Sequence, residues 1–300
     1  MHIGEKIKAL RTAKMMTQAE LAGDQITRNM LSRIEHGAAF PSLQTVIYLA
    51  ARLNVPAGFL LAEEGDDFLY RKMNSIGNIR HAFSRGDYRS CRDICESLFG
   101  EGRSDDEIAL ILAGCTKEIG MEELHAGRLH TAVRDFDAAL RYVAATVYDT
   151  AVIRAEIAVC LAWLREFSPM LNSDMLDNPD GVGSRAYASG NAFCRYIAAL
   201  SDLAEGREEL LALYLTQEDE RVLYPLHVRA RRCMAQSDYA GALVFMRRIM
   251  DAQEVPPQIL LYSTVCDMEV CCRETDDYRG AYEYARDKIG LRERLLEDVQ

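Results

Sequence analysis

The sequence contains no apolar run that could cross a membrane. Its longest strongly apolar stretches, such as residues 158–164, fall far short of the roughly 20 residues that a spanning helix requires. Charged side chains occur from Glu5 onward in the N-terminal segment, which is not the pattern of a secretory signal. We therefore expect a cytoplasmic protein that does not associate with membranes.

The nine cysteines are not arranged as a disulfide framework. Their number is odd, and most of them lie inside apolar periodic segments rather than at paired loop spacings. Cys91 and Cys95 share a helical face and Cys271 and Cys272 are adjacent, but neither pair has the matched second pair or the HxxxH motif of a zinc site. We expect reduced thiols in the core, with no metal and no cofactor.

The motifs that accompany common catalytic chemistry are also missing. The chain has neither GxxxxGKS/T nor GxGxxG, so nothing supports nucleotide hydrolysis. None of the six histidines stands in a pattern that recommends a Cys–His catalytic pair. We expect a protein that is not an enzyme and has no catalytic residues.

The charge is divided unevenly along the chain. Apolar side chains make up 49% of the sequence, which is enough to build substantial cores and excludes wholesale disorder. The overall net charge is −11, yet residues 1–62 hold seven basic and four acidic side chains, a local charge of +3. The remaining residues hold 28 basic and 42 acidic side chains, a charge of −14. This division indicates a small head that approaches an anionic partner, and a larger body with another task.

The boundary between head and body is predicted at residues 63–67. The sequence there is EEGDD, and the apolar periodicity breaks at this point. We therefore predict a head over residues 1–62, an acidic linker over 63–67 and a body over 68–300.

Short helices are predicted in the head. The apolar spacing from Ile3 to Leu10 predicts a first helix that ends near Met15 or Met16. Hydroxyl side chains then offer N-caps for three further helices, at Thr17, Thr27 and Ser42. Two short helices joined by a tight turn can project one of them into the major groove of DNA.

The head resembles the lambda-repressor-like (XRE/Cro) helix-turn-helix domain. The resemblance extends to Leu60 and rests on an ordered set of positions: TQ at 17–18, ELA at 20–22, ITR at 26–28, LSRIE at 31–35, Gly37, PS at 41–42, LA at 49–50, Leu53 and Val55. It implies a double-stranded DNA operator as the partner.

By this resemblance, the helix that opens at Thr27 is the recognition helix. Arg28, Asn29 and Arg33 would stand at base-reading positions, and Ser32 shares their outward face. The chemistry agrees, because Arg can bond guanine O6 and N7, and Asn can bond adenine N6 and N7. The alternative interpretation is that these side chains form an ordinary solvated helix face.

The resemblance also implies three further roles in the head. Gln18 and Thr27 match positions that meet phosphates, where helix N-termini add amide donors. Arg11 and Glu35 match a buried ion pair that ties the first helix to the recognition helix.

The body is a degenerate repeat of helix pairs. From Arg71 onward no credible strand occurs, and five turn-like triplets recur: GDY at 86–88, GRL at 127–129, GRE at 206–208, SDY at 237–239 and DDY at 276–278. Their third residues are 41 apart from 88 to 129 and 39 apart from 239 to 278. Four of the triplets have a small residue three positions after their last residue, namely Cys91, Ala132, Ala242 and Ala281. This pattern and a period near 40 are similar to tetratricopeptide repeats, so about five or six copies would form an α-solenoid with a long groove. The predicted fold class is therefore all-α, a helix-turn-helix bundle followed by this solenoid.

The whole architecture resembles the Rgg/PlcR-type regulators of Gram-positive bacteria. The resemblance implies that the array dimerises and binds a short signalling peptide, gripping the peptide backbone with Asn and Arg side chains. The candidates in this chain are Arg154, Asn191, Arg195 and Arg229. The alternative for each is an ordinary surface or intramolecular ion-pair residue.

The sequence thus predicts a sequence-specific DNA-binding transcriptional regulator. A homodimer is expected because one recognition helix covers few base pairs. We expect the dimer contact in the body, where a final helix over residues 291–299 would leave Leu295, Leu296 and Val299 exposed. One alternative is a ligand-independent repressor whose array only dimerises or docks a protein partner. Another is an enzyme on a repeat scaffold, for which the sequence offers no catalytic group.

Overall fold

The protein is helical throughout the residues that the structure describes. The computed structural model describes residues 2–62, 67–99, 105–171, 173, 190–217 and 223–297. Within these ranges no strand occurs, which confirms the all-α prediction. The predicted linker over residues 63–67 lies outside the described residues except for Asp67, where a helix begins.

The chain divides into two compact units. Unit 1 comprises residues 1–86 and 96–101, and unit 2 comprises residues 87–95 and 102–300. The helices of unit 1 are α1 Ile3–Ala13, α2 Gln18–Ala22, α3 Arg28–Glu35, α4 Leu43–Leu53, α5 Ala57–Leu61 and α6 Asp67–Ser84. Helix α7, Tyr88–Phe99, is shared: its residues 88–95 belong to unit 2 and its residues 96–99 to unit 1.

The first five helices of unit 1 enclose one apolar core. Fully buried side chains come from α1, α2, α3, α4 and α5, namely Ile7, Leu21, Leu31, Ile34, Leu49, Leu53 and Leu60. Helices α1 and α3 approach so closely that a Cβ on Gly4 would collide with the carbonyl oxygen of Ile34. Helix α6 packs on α5, with the ring of Tyr70 5.5 Å from that of Phe59.

The predicted hydroxyl caps lie at the starts of α2, α3 and α4. The side chains of Thr17, Thr27 and Ser42 each accept a hydrogen bond from a backbone N–H in the first turn of the helix that follows. Helix α1 ends at Ala13, earlier than predicted, because Met15 adopts a left-handed φ of 54° that no helix interior tolerates.

Unit 2 is an array of helix pairs. Its helices after α7 are α8 Asp106–His125, α9 Leu129–Ala144, α10 Ala151–Phe167, α11 Ala192–Ala204, α12 Glu208–Gln217, α13 Leu223–Ala235, α14 Tyr239–Met250, α15 Gln258–Glu274 and α16 Tyr278–Leu296. Four described pairs pack side by side: α8 with α9, α11 with α12, α13 with α14, and α15 with α16. The repeated helix pairs of the predicted α-solenoid are thereby confirmed.

Each repeated triplet forms the turn inside a helix pair. Its third residue is the first residue of the second helix, as at Leu129, Glu208, Tyr239 and Tyr278. Its first residue has a left-handed φ in all five copies. Three copies have glycine at this position, and the last two have Ser237 with a φ of 62° and Asp276 with a φ of 60°. The backbone conformation is therefore shared by all copies although the residue type differs.

The middle residue of the triplet stabilises the turn in one of two ways. Where it is aspartate, the carboxylate accepts from a backbone N–H three residues later, as Asp238 does from Gly241 at 2.9 Å and Asp277 from Gly280 at 3.0 Å. Where it is arginine, the guanidinium pairs with an acid five residues earlier, as Arg207 does with Asp202. Helix capping and a short ion pair thus serve the same turn in different copies.

The first helix of each described pair and helix α10 together form a closed ring of contacts. Helix α8 contacts α10, α10 contacts α11, α11 contacts α13, α13 contacts α15, and α15 contacts α8 again. We call these five helices the inner helices. This closure differs from the open groove that the repeat pattern predicted, because in this part of the chain the last pair packs back on α8 and α9.

Gly127, in the turn between α8 and α9, makes a close contact with the last helix pair. A Cβ there would lie 2.7 Å from Cδ2 of Leu295 on α16 and 3.0 Å from Cβ of Gln258 on α15. Leu295 is consequently 3% exposed. The prediction that Leu295 is free to form a dimer contact is therefore wrong, and Val299 lies outside the described residues.

Among the described helices, none combines the length and the apolar character that spanning a bilayer requires.

Candidate nucleic-acid interface and ligand site

Helix α3 has one face toward the core and one toward solvent. Leu31, Ile34 and Glu35 are buried, and Arg28, Asn29 and Arg33 are exposed. At about 100° per residue, positions 28, 29, 32 and 33 fall within a sector of about 140°. The structure therefore brings Arg28, Asn29 and Arg33 together on one accessible surface, with the half-buried Ser32 between them.

The exposed cations of α3 have no ion-pair partner within the described ranges. Their guanidinium donors are open to solvent, and Asn29 adds an amide beside them. The start of the helix is ordered by the Oγ1 atom of Thr27, which accepts from Met30 N at 3.2 Å. A rigid, cationic, amide-bearing helix face can bond both phosphate oxygens and base edges in the major groove.

Glu35 anchors the inner side of α3. Arg11 Nε donates to Glu35 Oε1 at 2.6 Å, and Arg11 Nη2 donates to Glu35 Oε2 at 3.0 Å. Gln18 Nε2 donates to the same Oε2 at 2.8 Å. Burial alone would raise the pKa of Glu35, but hydrogen bonds from Arg11 and Gln18 and the positive charges of Arg11 and Lys8 lower it below its ordinary value.

Gln18 therefore has a structural bond in addition to its predicted phosphate role. Its side-chain amide fixes α2 to the end of α3 through Glu35. Gln18 is also the first residue of α2, where the backbone N–H groups of a helix lack intrahelical acceptors. The contact with Glu35 orients this helix start relative to the exposed face of α3.

Two residues of α4 that the sequence analysis did not single out hold the turn between α2 and α3. Tyr48 Oη donates to the carbonyl oxygen of Ala22 at 2.9 Å, and Arg52 Nη2 donates to that of Glu20 at 2.5 Å. The turn passes through Gly23, which has a left-handed φ of 54° and on which a Cβ would collide with Tyr48 Oη. Hydrogen bonds from a side chain to a distant backbone carbonyl follow no fixed spacing in the sequence, so only the folded structure identifies them.

Not every cation of the head is available to an anionic partner. Lys6 is buried, and its Nζ donates to the carbonyl oxygens of Phe59 at 3.2 Å and Ala62 at 2.6 Å. Arg11 is held by Glu35. The accessible cations are Lys8, Lys14, Arg28, Arg33 and Arg52.

The four predicted ligand contacts of unit 2 lie on three inner helices, with Asn191 and Arg195 one turn apart at the start of α11. Arg154 is exposed on α10. Asn191 is the N-cap of α11, where its Oδ1 accepts from the backbone N–H groups of Phe193 at 2.9 Å and Cys194 at 3.2 Å. Arg195 is half-buried on α11, and Arg229 on α13 reaches the carbonyl oxygen of Leu215 at 3.4 Å. For Asn191 the structure thus shows a capping role.

A buried polar chain, absent from the sequence-based site, links three inner helices. Tyr196 Oη on α11 lies 2.9 Å from His227 Nδ1 on α13, and His227 Nε2 lies 3.1 Å from Asp267 Oδ2 on α15. Arg231 Nε is 3.1 Å from the same oxygen, although neither contact with Asp267 has the alignment of a hydrogen bond. Burial and then the charge of Asp267 raise the pKa of Tyr196.

Aromatic rings fill the space among the inner helices. The rings of Tyr196 and Tyr224 are 4.7 Å apart, and Phe193 lies 6.1 Å from each of them. Trp163 stacks on Phe167 at 5.5 Å. These side chains pack against one another, so the described inner face is apolar and largely occupied, with the polar chain at one side.

Residues 7–60 match the helix-turn-helix family model. The match covers α2, α3, α4 and most of α1 and α5, and it confirms the domain type that the sequence of the head predicted. No curated protein matches the chain.

Three solved structures align with most of the chain at low identity. Bacillus thuringiensis PlcR in complex with the peptide PapR7 and DNA is 15% identical, with 98% of this chain and 99% of that chain covered and a TM-score of 0.26. ComR from S. thermophilus in complex with DNA and its signalling peptide ComS is 13% identical, with 96% and 99% covered and a TM-score of 0.23. The Streptococcus dysgalactiae SHP pheromone receptor Rgg2 is 13% identical, with 95% and 100% covered and a TM-score of 0.20. Scores this low establish neither a shared overall arrangement nor a shared activity.

Proposed function

We propose that this protein is a cytoplasmic, sequence-specific DNA-binding transcriptional regulator and not an enzyme. Unit 1 reads a double-stranded operator through α3, and unit 2 dimerises and binds a short signalling peptide. The observation that carries the DNA-binding part is the exposed set of Arg28, Asn29 and Arg33 on the recognition helix of a matched helix-turn-helix domain.

Base reading is assigned to α3 because contacts within unit 1 hold this helix in place. Glu35 fixes the helix to α1 and α2, and Thr27 caps its start. The outward side chains are therefore displayed from a backbone that is ordered before DNA arrives. Arg28 and Arg33 are suited to guanine, and Asn29 to adenine.

A homodimer is proposed because a single head would contact too few base pairs for specificity. Helix α16 offers a surface for the contact: Tyr278, Tyr282 and Ile289 are 66%, 72% and 58% exposed. Their spacing of four and seven residues places them on one face of the helix. The dimer contact is assigned to this stripe in place of Leu295, which is buried within the same chain.

Peptide binding is assigned to the inner helices. They combine aromatic rings, which accept apolar side chains, with the polar chain of Tyr196, His227 and Asp267. A peptide could gain apolar burial and a small number of oriented hydrogen bonds from such a surface. Its entry would require the inner helices to separate.

The closed packing of the inner helices favours a second candidate. Because α15 contacts α8 and the rings among them pack on one another, the array can be a complete core that needs no ligand. Unit 2 would then serve only to dimerise the protein or to dock a protein partner.

The experiment that tests DNA reading is the selection of operators from a random duplex pool by the full-length protein. An enriched sequence of two related half-sites, bound by a dimer in sedimentation, is expected. A pool that remains random at moderate salt would contradict the proposal. Tyr282→Glu should abolish the dimer, whereas Arg279→Glu, at a neighbouring exposed position outside the stripe, should leave it intact.

Peptide sensing is tested separately on the same protein. Peptides fractionated from the growth medium of the host are added to the protein–operator complex, and both operator affinity and melting temperature are measured. A peptide that changes operator affinity must itself bind with a changed affinity when operator is present. If no fraction changes either quantity while DNA is bound normally, the ligand-free candidate replaces the peptide-sensing one.

A further inference from the structure

A pocket of about 560 Å³ lies between α12, α13 and α14 of unit 2. Helices α12 and α14 are the second members of their pairs, so this pocket is separate from the space among the inner helices. Its wall combines Leu215 and Phe245 with two arginines, Arg229 and Arg232. Cys233 also lines it.

The two arginines occupy positions that suit the joint recognition of an anion. Arg229 and Arg232 are three residues apart on α13, so they lie about one helical turn from each other on the same face. Arg229 Nη2 donates to the carbonyl oxygen of Leu215 on α12 at 3.4 Å. Arg232 Nη2 pairs with Glu208 Oε2 at 2.9 Å.

Arg232 retains a donor that the described residues do not satisfy. Its Nε atom is buried and has no hydrogen-bond partner among them, even though the Nη2 atom is engaged by Glu208. A buried N–H without an acceptor is unfavourable, so a rotation of the Arg232 side chain that brings this N–H to an acceptor in the pocket is favoured. A planar carboxylate fits the fork of a guanidinium, since two oxygens can face two N–H groups.

The rest of the wall selects for an apolar group beside that acceptor. Ala212, Leu215 and Phe245 present hydrocarbon, and Thr216 and Gln236 are the uncharged polar residues of the wall. The hydroxyl of Thr216 donates to the carbonyl oxygen of Leu213 at 2.9 Å and is thus already engaged. An inorganic anion would satisfy Arg232 but leave the apolar wall in contact with water.

We propose that this pocket binds an organic carboxylate that carries a short apolar group. The carboxylate lies between Arg229 and Arg232, and the apolar group lies against Leu215 and Phe245. Such a ligand can be a free carboxylic acid or the C-terminal residue of a peptide. The second source rests on the proposed peptide-binding function and adds to it a contact outside the space among the inner helices; the first is independent of it.

Cys233 provides a readout at the site itself. The full-length protein is alkylated with iodoacetamide at alkaline pH, and the rates at Cys233 and Cys266 are followed by peptide mapping. Cys266 is the control, because it is also partly buried and burial raises the pKa of both thiols, but it does not line the pocket. Octanoate represents the free acid, N-acetylleucine represents a peptide C-terminus, and the corresponding neutral amides are matched controls.

The expected result is that at least one carboxylate slows alkylation of Cys233 and not of Cys266, and that its amide binds about tenfold more weakly. Protection by octanoate identifies a free acid as the source, and protection by N-acetylleucine alone identifies a peptide terminus. If neither carboxylate protects Cys233, or if each amide protects as well as its acid, the proposal is wrong.

Two variants assign the effect to the arginine side chain. Arg229→Gln should raise the carboxylate concentration that half-protects Cys233 by about tenfold. Arg248→Gln, at an exposed position on α14 outside the pocket, should leave it unchanged. Melting temperatures show that both variants are folded. Equal protection in Arg229→Gln and the unaltered protein would overturn the assignment, and because operator binding is not measured, this outcome is distinct from a failure of DNA recognition.

Discussion

The guanidinium of Arg11 and the carboxylate of Glu35 form a two-point ion pair between α1 and the last residue of α3. Glu35 is buried on the same helix that exposes Arg28 and Arg33. Any loosening of Glu35 is therefore transmitted to the helix that is proposed to read DNA. The stability of unit 1 and the affinity for operator should vary together when this pair is altered.

Glu35→Ala should destabilise unit 1 by about 3 kcal/mol, because removal of one member leaves Arg11 with an uncompensated, largely buried charge. Trp163 lies in unit 2, so the measurement is hydrogen exchange at the amides of α1 and α3 in the full-length chain. Glu20→Gln, an exposed capping residue, is the control and should have a much smaller effect. Unchanged protection in Glu35→Ala would show that the pair contributes nothing net.

The same carboxylate predicts a pH dependence. Because the pKa of Glu35 is lowered in the folded protein, its contribution to stability is fully present above the ordinary glutamate pKa and is lost as the pH falls through the lower folded value. Protection of α3 amides, corrected for intrinsic exchange, should thus decline below about pH 4. In Glu35→Gln the protection of the α3 amides should depend less on pH. If protection falls as steeply in the variant as in the unaltered protein, the pH dependence comes from other groups.

Substitutions in α3 should separate base reading from phosphate contact. Arg28→Ala and Arg33→Ala should each lose about 1–3 kcal/mol of discrimination at particular base pairs. Gln18→Ala should weaken all operator variants more evenly, since it acts at a helix start and through Glu35. Affinities for a set of single-substitution operators at fixed salt give the comparison. Unaltered sequence preference in both arginine variants would remove α3 as the reading helix.

Two glycines with similar backbone conformations should respond differently to alanine. Gly206 has a φ of 71° and nothing near its missing Cβ, so Gly206→Ala should cost about 1 kcal/mol through the backbone alone. Gly127 has a φ of 81° and also meets Leu295 and Gln258, so Gly127→Ala should cost about 3 kcal/mol. Urea unfolding followed by Trp163 emission measures both. Equal losses would mean that the contact with α15 and α16 is easily displaced.

Two neighbouring tyrosines of the inner helices should also differ. Tyr224 Oη is buried without a hydrogen-bond partner among the described residues, so Tyr224→Phe should be neutral or slightly stabilising. Tyr196→Phe should cost about 1–2 kcal/mol, because it leaves His227 Nδ1 buried without its partner. Melting temperatures of the two variants decide this. A loss in Tyr224→Phe as large as that in Tyr196→Phe would indicate an acceptor for Tyr224.

Local signals were sufficient to predict the first four helices of the head, but not α5, which has no side-chain cap. Thr17, Thr27 and Ser42 cap their helices because a hydroxyl next to a free backbone amide is a short-range interaction that sequence displays directly. The repeated triplets were recognisable for the same reason, although Ser237 and Asp276 replace glycine at the left-handed position.

Long-range contacts could not be predicted in this way. The packing of Leu295 on Gly127 joins residues far apart in the sequence, and it depends on the rotation from each helix pair to the next, which no single repeat encodes. The chain of Tyr196, His227 and Asp267 likewise draws one residue from each of three helices. The roles of Tyr48 and Arg52 depend on where α4 crosses the end of α2.

The contact between α15 and α8 changes how unit 2 should lose its structure. In a linear repeat protein, each unit touches only its neighbours, so an end can fray while the remainder stays folded. The inner helices form a ring, so none of them is a free end. Opening the ring at any point breaks an interface between two inner helices, and no other contact replaces it. Deletion of the last helix pair would uncover two surfaces at once, one on α13 and α14 and one on α8 and α9. Unit 2 should accordingly unfold in a single cooperative step, and a truncated chain that ends before α15 should be far less stable than the loss of one repeat from a linear array would suggest.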